Sequence, residues 1–281
     1  MVLCYYPFKM TDQNSNSLIR LRNADELYNR VLKLSENAFE RDEIGDMSNF
    51  VREAEFMLQG VKGTDAVIGI FNHNTYSPVL EVGEEEFWGS FPKVPQEQRM
   101  RQILGLLEKN YASFPAESVS WFAKALEKIP YAQKANFKFF HCAIRYRRLN
   151  GKPICIFSKG LPIHYDAQRN FTFTFNYVQN VAHLIKKDFT YYWVRITHGI
   201  NNEFVHTFHS ENKEYSNRDL LSAREKEILL LIADDLDTRE IADRLFISPN
   251  TVGNHRSNMI DRLGARDTTA LVQLAKMTEM I

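Results

Sequence analysis

The tightest constraint on this chain is a set of helix-start and helix-stop signals crowded into residues 222–264. Ser222 precedes Glu225 and Asp237 precedes Glu240 at capping-box spacing, where side chain and backbone satisfy each other's unpaired amides at a helix start. Ser248 followed by Pro249 marks a third start, because proline at the first helical position lacks only an N–H that would be unpaired anyway. Gly264 closes that helix by taking the left-handed conformation. Helices this short must share one core. Ile228, Leu229, Ile232 and Ala233 of the first, Ile241, Ala242 and Leu245 of the second, and Val252 and Met259 of the third are spaced to form it.

The third helix has a second face. Asn250, Gly253, Asn254, Ser257 and Asn258 fall opposite Val252, Met259, Ile260 and Leu263 at helical spacing. A short helix, a tight turn at Phe246-Ile247 and a helix with a polar outer face make the helix-turn-helix arrangement, whose second helix enters the major groove of DNA.

The run LSAREKEILLLIADDLDTREIADRLFISPNTVGNHRSNMIDRLGARDTTALVQLA resembles the LuxR-type (NarL- or FixJ-type) DNA-binding domain along its whole length. The resemblance is carried by Arg224-Glu225, Ile241-Ala242, Leu245, Ile247-Ser248 and Thr251-Val252 with His255, the last read as a packed residue. Arg262-Leu263 stands where the family has lysine-leucine. Asp235 stands where the family usually has glycine, and the turn then requires an aspartate in the left-handed region at some cost. The resemblance implies an all-α domain of four helices, double-stranded DNA as partner, phosphate contacts from Thr251 and Arg262, and bases facing Gly253, Asn254 and Ser257. Thr238, Arg239, Ser248, Asn250 and Arg256 complete the expected DNA-binding set, with Arg244 and Arg266 as further phosphate candidates. Asn254 alone of the base-facing three carries an amide that pairs bidentately with adenine. Readout by DNA shape is therefore expected to contribute. Asp234, Asp235, Asp237, Asp243 and Asp261 dilute the local positive field.

A chain of 281 residues has room for more than this domain, and its 44% hydrophobic and 25% charged content is that of an ordinary globular protein. Thirty-five basic side chains balance 35 acidic ones, so any basic surface is local. Cys4, Cys142 and Cys155 are too few for a disulfide scaffold, and no apolar run approaches the roughly 18 residues of a membrane span; a cytoplasmic protein is expected. The organisation expected is α+β: a helical segment over 1–62, an antiparallel sheet with covering helices over 63–208, a linker over 209–219 and the helical domain over 220–281.

Within the sheet region, DAVIGIFNHNTYSPVLEVGE reads as two strands around a polar turn, and FKFFHCAIRYRRLNGKPICIFSKGLPIHYD as a hairpin turning at Asn150-Gly151. A two-residue loop there pairs Tyr146 with Cys155 and Ile144 with Phe157. Phe140, Cys142, Ile144, Tyr146, Cys155 and Phe157 then share one face, with the two thiols roughly 13 Å apart. Two strands, a helical middle and three further strands, with NGKP in a hairpin and a closing QNVAHLI, resemble a PAS-type sensor over about Gly63 to Leu184. That resemblance implies a small-molecule ligand and a dimer formed through flanking helices. Trp88, Phe140, Cys142, Tyr146 and Phe157 are the candidate cavity lining, a stripe that plain core packing would also produce. By analogy the resemblance admits haem, flavin or acyl-homoserine lactone, and no residues select a cofactor among them. His206 and His209 lack partners at metal spacing, so no metal is expected. No nucleophile elbow or phosphate loop is present, and a regulator rather than an enzyme is expected. The alternatives are a protein-interaction adaptor or a ligand-binding enzyme carrying the helix-turn-helix. Leu271, Leu274 and Ala275 form a stripe expected to be exposed unless a second copy covers it.

Overall fold

A computed structural model of the chain describes residues 65–281 apart from positions 93, 131–136, 167–170 and 200. The helical segment expected over 1–62 lies outside the described residues. The sheet is built from β1 (Ala66–Asn72), β2 (Ser77–Val82), β3 (Lys138–Arg147), β4 (Pro153–Tyr165), β5 (Phe171–Asn180), β6 (Trp193–His198), β7 (Phe204–His209) and β8 (Glu214–Ser216). Its strand order is β2-β1-β5-β4-β3-β6-β7-β8, with every neighbouring pair antiparallel. Between β2 and β3 lie α1 (Glu84–Trp88), α2 (Gln96–Gly105), a single 3-10 turn (Lys109–Tyr111) and α3 (Phe114–Lys128). They cover one face through Phe87, Trp88, Ile103, Phe122 and Leu126, which pack with Phe139, Ile144, Tyr146 and Ile156 of the sheet.

The opposite face is covered by the C-terminal helices α4 (Ala223–Ala233), α5 (Thr238–Leu245), α6 (Pro249–Leu263) and α7 (Thr268–Met277). Each expected helix signal is present. Ser222–Glu225 and Asp237–Glu240 close as capping boxes, Ser248 Oγ accepts from Thr251 N–H at 3.1 Å, and Gly264 ends α6 at φ 69°. Asp235 does take the left-handed conformation that glycine would take more cheaply, at φ 65°. One apolar cluster joins Ile228, Leu229, Ile241, Val252 and Met259 of the helices to Phe140, Phe157 and Trp193 of the sheet. Leu271, Leu274 and Ala275 are fully buried within it, so the chain's own fold covers the stripe expected to be open. Within 209–219, expected as a linker, β8 pairs with β7.

The β3–β4 hairpin departs from the two-residue expectation. Arg148 N–H donates to Lys152 O at 2.9 Å, which leaves a three-residue loop with Gly151 alone at positive φ, 83°. Tyr146 therefore pairs with Ile154 rather than Cys155. A bulge between Cys142 and Ile144, with Ala143 at φ 66°, shifts the register again, so that Cys142 pairs with Phe157 and Ile144 with Ile156. The expected single face is thereby divided. Phe140, Cys142, Cys155 and Phe157 face the C-terminal helices, while Ile144 and Tyr146 face α1–α3. The two thiols are closer along the ladder than the expected register gave, yet both are free. Burial raises the Cys155 pKa to about 12 and holds Cys142 well above its ordinary value, so neither supplies a thiolate.

A buried clasp orients the two halves. Arg195 of β6 donates through Nε and Nη2 to the two carboxylate oxygens of Asp219, each at 2.9 Å, and through Nη1 to Thr278 O at 2.8 Å. Lys226 Nζ reaches the same carboxylate at 2.6 Å. The Arg195 and Asp219 side chains are only 3% and 7% exposed. At the far end, Lys138 and Lys159 both bind Glu279, at 2.6 Å each.

Two stability outcomes follow from these contacts. Burial by itself would raise the Asp219 pKa, but Arg195 and Lys226 outweigh it and hold the carboxyl below 3.8. A lowered folded pKa means that this stabilisation is complete above pH 3.8 and lost as pH falls through the lower folded value. Asp219→Asn should cost about 3 kcal/mol at neutral pH by leaving Arg195 buried without its counter-charge, and acid titration of the variant should lack the corresponding loss. Urea denaturation across pH measures both. Phe246 sits at φ 55°, ψ 44° with 94% of its surface exposed, so it carries left-handed strain with little packing in return. Phe246→Gly should raise stability by about 0.5–1 kcal/mol, read as a higher urea midpoint at unchanged slope.

Candidate nucleic-acid interface and internal cavity

The outer side of α6 is set by what its inner side must bury. Val252, Met259 and Leu263 are buried, which leaves Asn250, Asn254, Ser257 and Asn258 exposed on the opposite side, with Thr251, Gly253 and Arg256 half-buried along its flanks. Glycine in a helix interior costs about 1 kcal/mol relative to alanine. A Cβ added to Gly253 would meet nothing within 4 Å, so no packing within the fold requires the glycine. Thr251 and Ser248 share a hydroxyl contact at 2.8 Å at the helix start. Beside them, Thr238 and exposed Arg239 open α5, and Arg256 Nη1 donates to Thr238 Oγ1 at 3.4 Å. Of the ten residues expected on DNA, nine gather around the N-terminal two-thirds of α6 and the start of α5.

Arg262 stands apart from them. Its Nη1 donates to Leu220 O and to Glu225 Oε2, both at 2.8 Å, while the same carboxylate oxygen accepts from Ser222 N–H at 2.8 Å. Burial would raise the Glu225 pKa, but these bonds hold it below its ordinary value. Arg262 thus neutralises a buried carboxylate, a role that its sequence position does not announce. Asp261, acidic and on the outer side, is paired with Lys186 at 2.6 Å. The open, uncommitted part of α6 is its N-terminal half.

The face of the sheet turned away from these helices lines a half-open cavity of about 190 Å³. Val67, Ile70, Phe114, Phe122, Phe139 and Phe171 supply much of an apolar wall. Trp88 and Tyr146, two of the five expected lining residues, belong to it. Phe140, Cys142 and Phe157 do not, because the bulge at Ala143 leaves them on the opposite face. The polar groups in the wall were not singled out from sequence. His141 Nε2 lies 3.1 Å from Ser118 Oγ, and His73 Nε2 lies 2.9 Å from Thr174 Oγ1. Burial lowers both imidazole pKa values to about 3, so both are neutral. Trp88 Nε1 is buried without a hydrogen-bond partner among the described residues. His141 was legible only as part of an alternating strand, and His73 only as part of a turn. His206 contacts His198 Nε2 at 3.0 Å, and no metal-binding group of three or more His, Cys, Asp or Glu exists among the described residues. No helix among them is long and apolar enough to cross a membrane.

With this geometry in hand, comparison with known proteins places the C-terminal helices. The family described as "Bacterial regulatory proteins, luxR family" matches residues 219–275. The spore germination protein GerE of Bacillus subtilis (strain 168) is 42% identical over 71 residues, which span 25% of this chain and 96% of GerE. The oxygen regulatory protein NreC of Staphylococcus aureus (strain MRSA252) is 34% identical over 98 residues, 34% of this chain, and the match spans 45% of NreC. Among solved structures, VqmA of Vibrio cholerae aligns over 80% of this chain and 87% of its own, at 15% identity and a TM-score of 0.28. The family match holds all four C-terminal helices except the last two residues of α7, and the separate alignment with GerE spans nearly the whole of that protein. The chain belongs to the luxR family of bacterial regulatory proteins.

Proposed function

We propose that the chain is a transcription regulator that binds double-stranded DNA with α6 in the major groove and senses a small neutral molecule with its sheet half. The observation that carries the reading is the state of α6. Its inner side and its C-terminal end are held by the fold, while the N-terminal two-thirds presents Asn250, Asn254 and Ser257 to solvent beside Thr238, Arg239 and Arg256. A recognition helix meets base edges with its N-terminal residues and the backbone with its flanks. Ser248, Thr251 and the arginines supply phosphate contacts, and Asn254 reads adenine. The unfilled space at Gly253 lets DNA approach the helix backbone closely. With so few base-reading groups, specificity requires two copies on two-fold related half-sites. The pairing surface lies outside the Leu271, Leu274 and Ala275 stripe, which the chain itself covers.

The order of elements in the sheet half, two strands, helices, then three strands, supports a PAS-like sensor over 63–208, with β6–β8 as an extension that carries the C-terminal helices. Its cavity selects by size and charge. At about 190 Å³ it is smaller than the roughly 300 Å³ and upward typical of drug-sized pockets. A neutral, flat molecule of one or two rings fits the aromatic wall.

Thr251→Ala and Arg239→Ala should weaken binding to all DNA sequences alike, and the arginine variant should lower the salt slope by about one unit. Asn254→Ala should instead relax preference at one base pair by roughly 1–3 kcal/mol. Selection from a random DNA library, salt titration and footprinting test these outcomes. The parent should protect two related half-sites about one helical turn apart. Identical selected motifs from parent and Asn254→Ala would remove Asn254 from the reading set. Solvent extraction of the purified full chain, analysed by mass spectrometry, should release a neutral molecule of ring size. A charged or haem-sized ligand would contradict the sensor reading.

A further inference from the structure

A helix leaves its last carbonyl groups without partners inside the helix. At the end of α6, Ile260 O and Asp261 O accept from the N–H groups of Ala265 and Gly264 in the helix's own closing turn. The next three carbonyls are all met from the sheet half of the chain. His209 Nε2 donates to Arg262 O at 3.1 Å, Trp193 Nε1 to Leu263 O at 3.2 Å, and Lys186 N–H to Gly264 O at 2.8 Å. A carbonyl only accepts, so His209 carries its proton on Nε2, and its Nδ1 accepts from Glu211 N–H at 3.3 Å.

The Lys186 contact is part of a longer junction. Arg266 N–H returns to Leu184 O at 2.7 Å, and Ile185 bridges to Ala265. The Phe189 ring occupies the space beside Gly264, where an added Cβ would lie 2.4 Å from the ring. The segment making these contacts is a turn closed by Phe189 N–H on Lys186 O at 3.2 Å. Its carbonyls converge on one guanidinium: Arg145 Nη2 lies 2.9 Å from Lys186 O, 3.2 Å from Lys187 O and 3.1 Å from Phe189 O. Arg145 reaches that turn only through the bulge at Ala143. Regular alternation from Phe139 and His141 would turn residue 145 toward the cavity, where its neighbours Ile144 and Tyr146 now point.

We infer that Arg145 is a positioning residue for DNA binding, which sets the Lys186–Phe189 turn that caps α6 and so fixes the recognition helix and Arg262 against the sheet. This rests on α6 being the helix that enters the groove. Arg145 acts through backbone and touches no DNA.

The test uses the full chain and the operator obtained by selection. Arg145→Gln should weaken operator binding about tenfold, the scale of losing charge-assisted hydrogen bonds, with the salt slope unchanged because no phosphate contact is lost. The amides of Lys186 and Arg266 should exchange faster with deuterium, while that of Val252 near the start of α6 keeps its rate. Arg145→Lys, which keeps the charge but not the planar fork, should recover part of the affinity. Gly264→Ala, which displaces Phe189 from the other side of the junction, should reproduce the affinity loss and serves if Arg145→Gln fails to fold. Parental affinity in both Arg145→Gln and Gly264→Ala overturns the inference. So does a salt slope lowered by about one unit in Arg145→Gln, which would put Arg145 on a phosphate, and so do unchanged exchange rates at Lys186 and Arg266. Thr251→Ala and Asn254→Ala run in parallel. If neither alters binding, α6 is not the DNA helix and the functional reading fails; if they do and Arg145→Gln does not, only the positioning role falls.

Discussion

The buried pair of Arg195 and Asp219 makes one body of the sheet and the C-terminal helices. Two charges withdrawn from water are tolerated only when their hydrogen-bonding groups are met, and here Arg195 reaches both carboxylate oxygens and Thr278 O while Lys226 adds a second cation to Asp219. The surrounding cluster of Phe140, Phe157, Trp193, Leu271 and Leu274 supplies attraction without direction. The clasp supplies direction, because a bidentate guanidinium–carboxylate pair admits one geometry. The clasp fixes Asp219, just ahead of α4, and Thr278, just after α7, against β6.

The second constraint is the bulge at Ala143. One extra residue in β3 reverses the facing of everything after it, sending Ile144 and Tyr146 to the cavity and Arg145 to the helices. A single strand thereby contributes both to the cavity wall and to the seat of α6. The sheet is thin: the side chains that pack on the α1–α3 side and those that pack against the C-terminal helices alternate along β3, β4 and β6. A change on one face is therefore one residue away from the other.

The surface proposed to face DNA is defined as much by commitment as by exposure. Arg262 is drawn onto Glu225 and Asp261 onto Lys186, which leaves the C-terminal end of α6 nearly neutral and structurally bound. Asn250, Asn254 and Ser257 at the other end carry no such obligations. A helix anchored at one end and open at the other is suited to insertion by its N-terminal half. The cavity on the other face is walled mostly by apolar side chains, with its two imidazoles kept neutral by burial.

The sequence by itself determined the local features. Both capping boxes, the Ser248-Pro249 start, the Gly264 stop and the polar face of α6 depend on residues within a few positions of one another, and all were legible. So were the strands of the sheet other than β8, which lies in the segment expected as a linker, including the turn from His73 to Thr75 and the hairpin around Gly151. The tertiary structure alone decided what required distant partners. No local pattern separates a two-residue from a three-residue loop at Asn150-Gly151, nor signals an extra residue at Ala143, and those two shifts moved Phe140, Cys142 and Phe157 from the expected cavity to the helix interface. The stripe of Leu271, Leu274 and Ala275 announced that it must be covered but not by what, since hydrophobic periodicity specifies burial and carries no address. Arg145, Arg195 and His209 look like ordinary strand residues in the sequence. Their work is done on carbonyls and carboxylates 40 or more positions away in the case of Arg145 and His209, and at Asp219 and Thr278 in the case of Arg195. Only the closed chain brings those groups within reach.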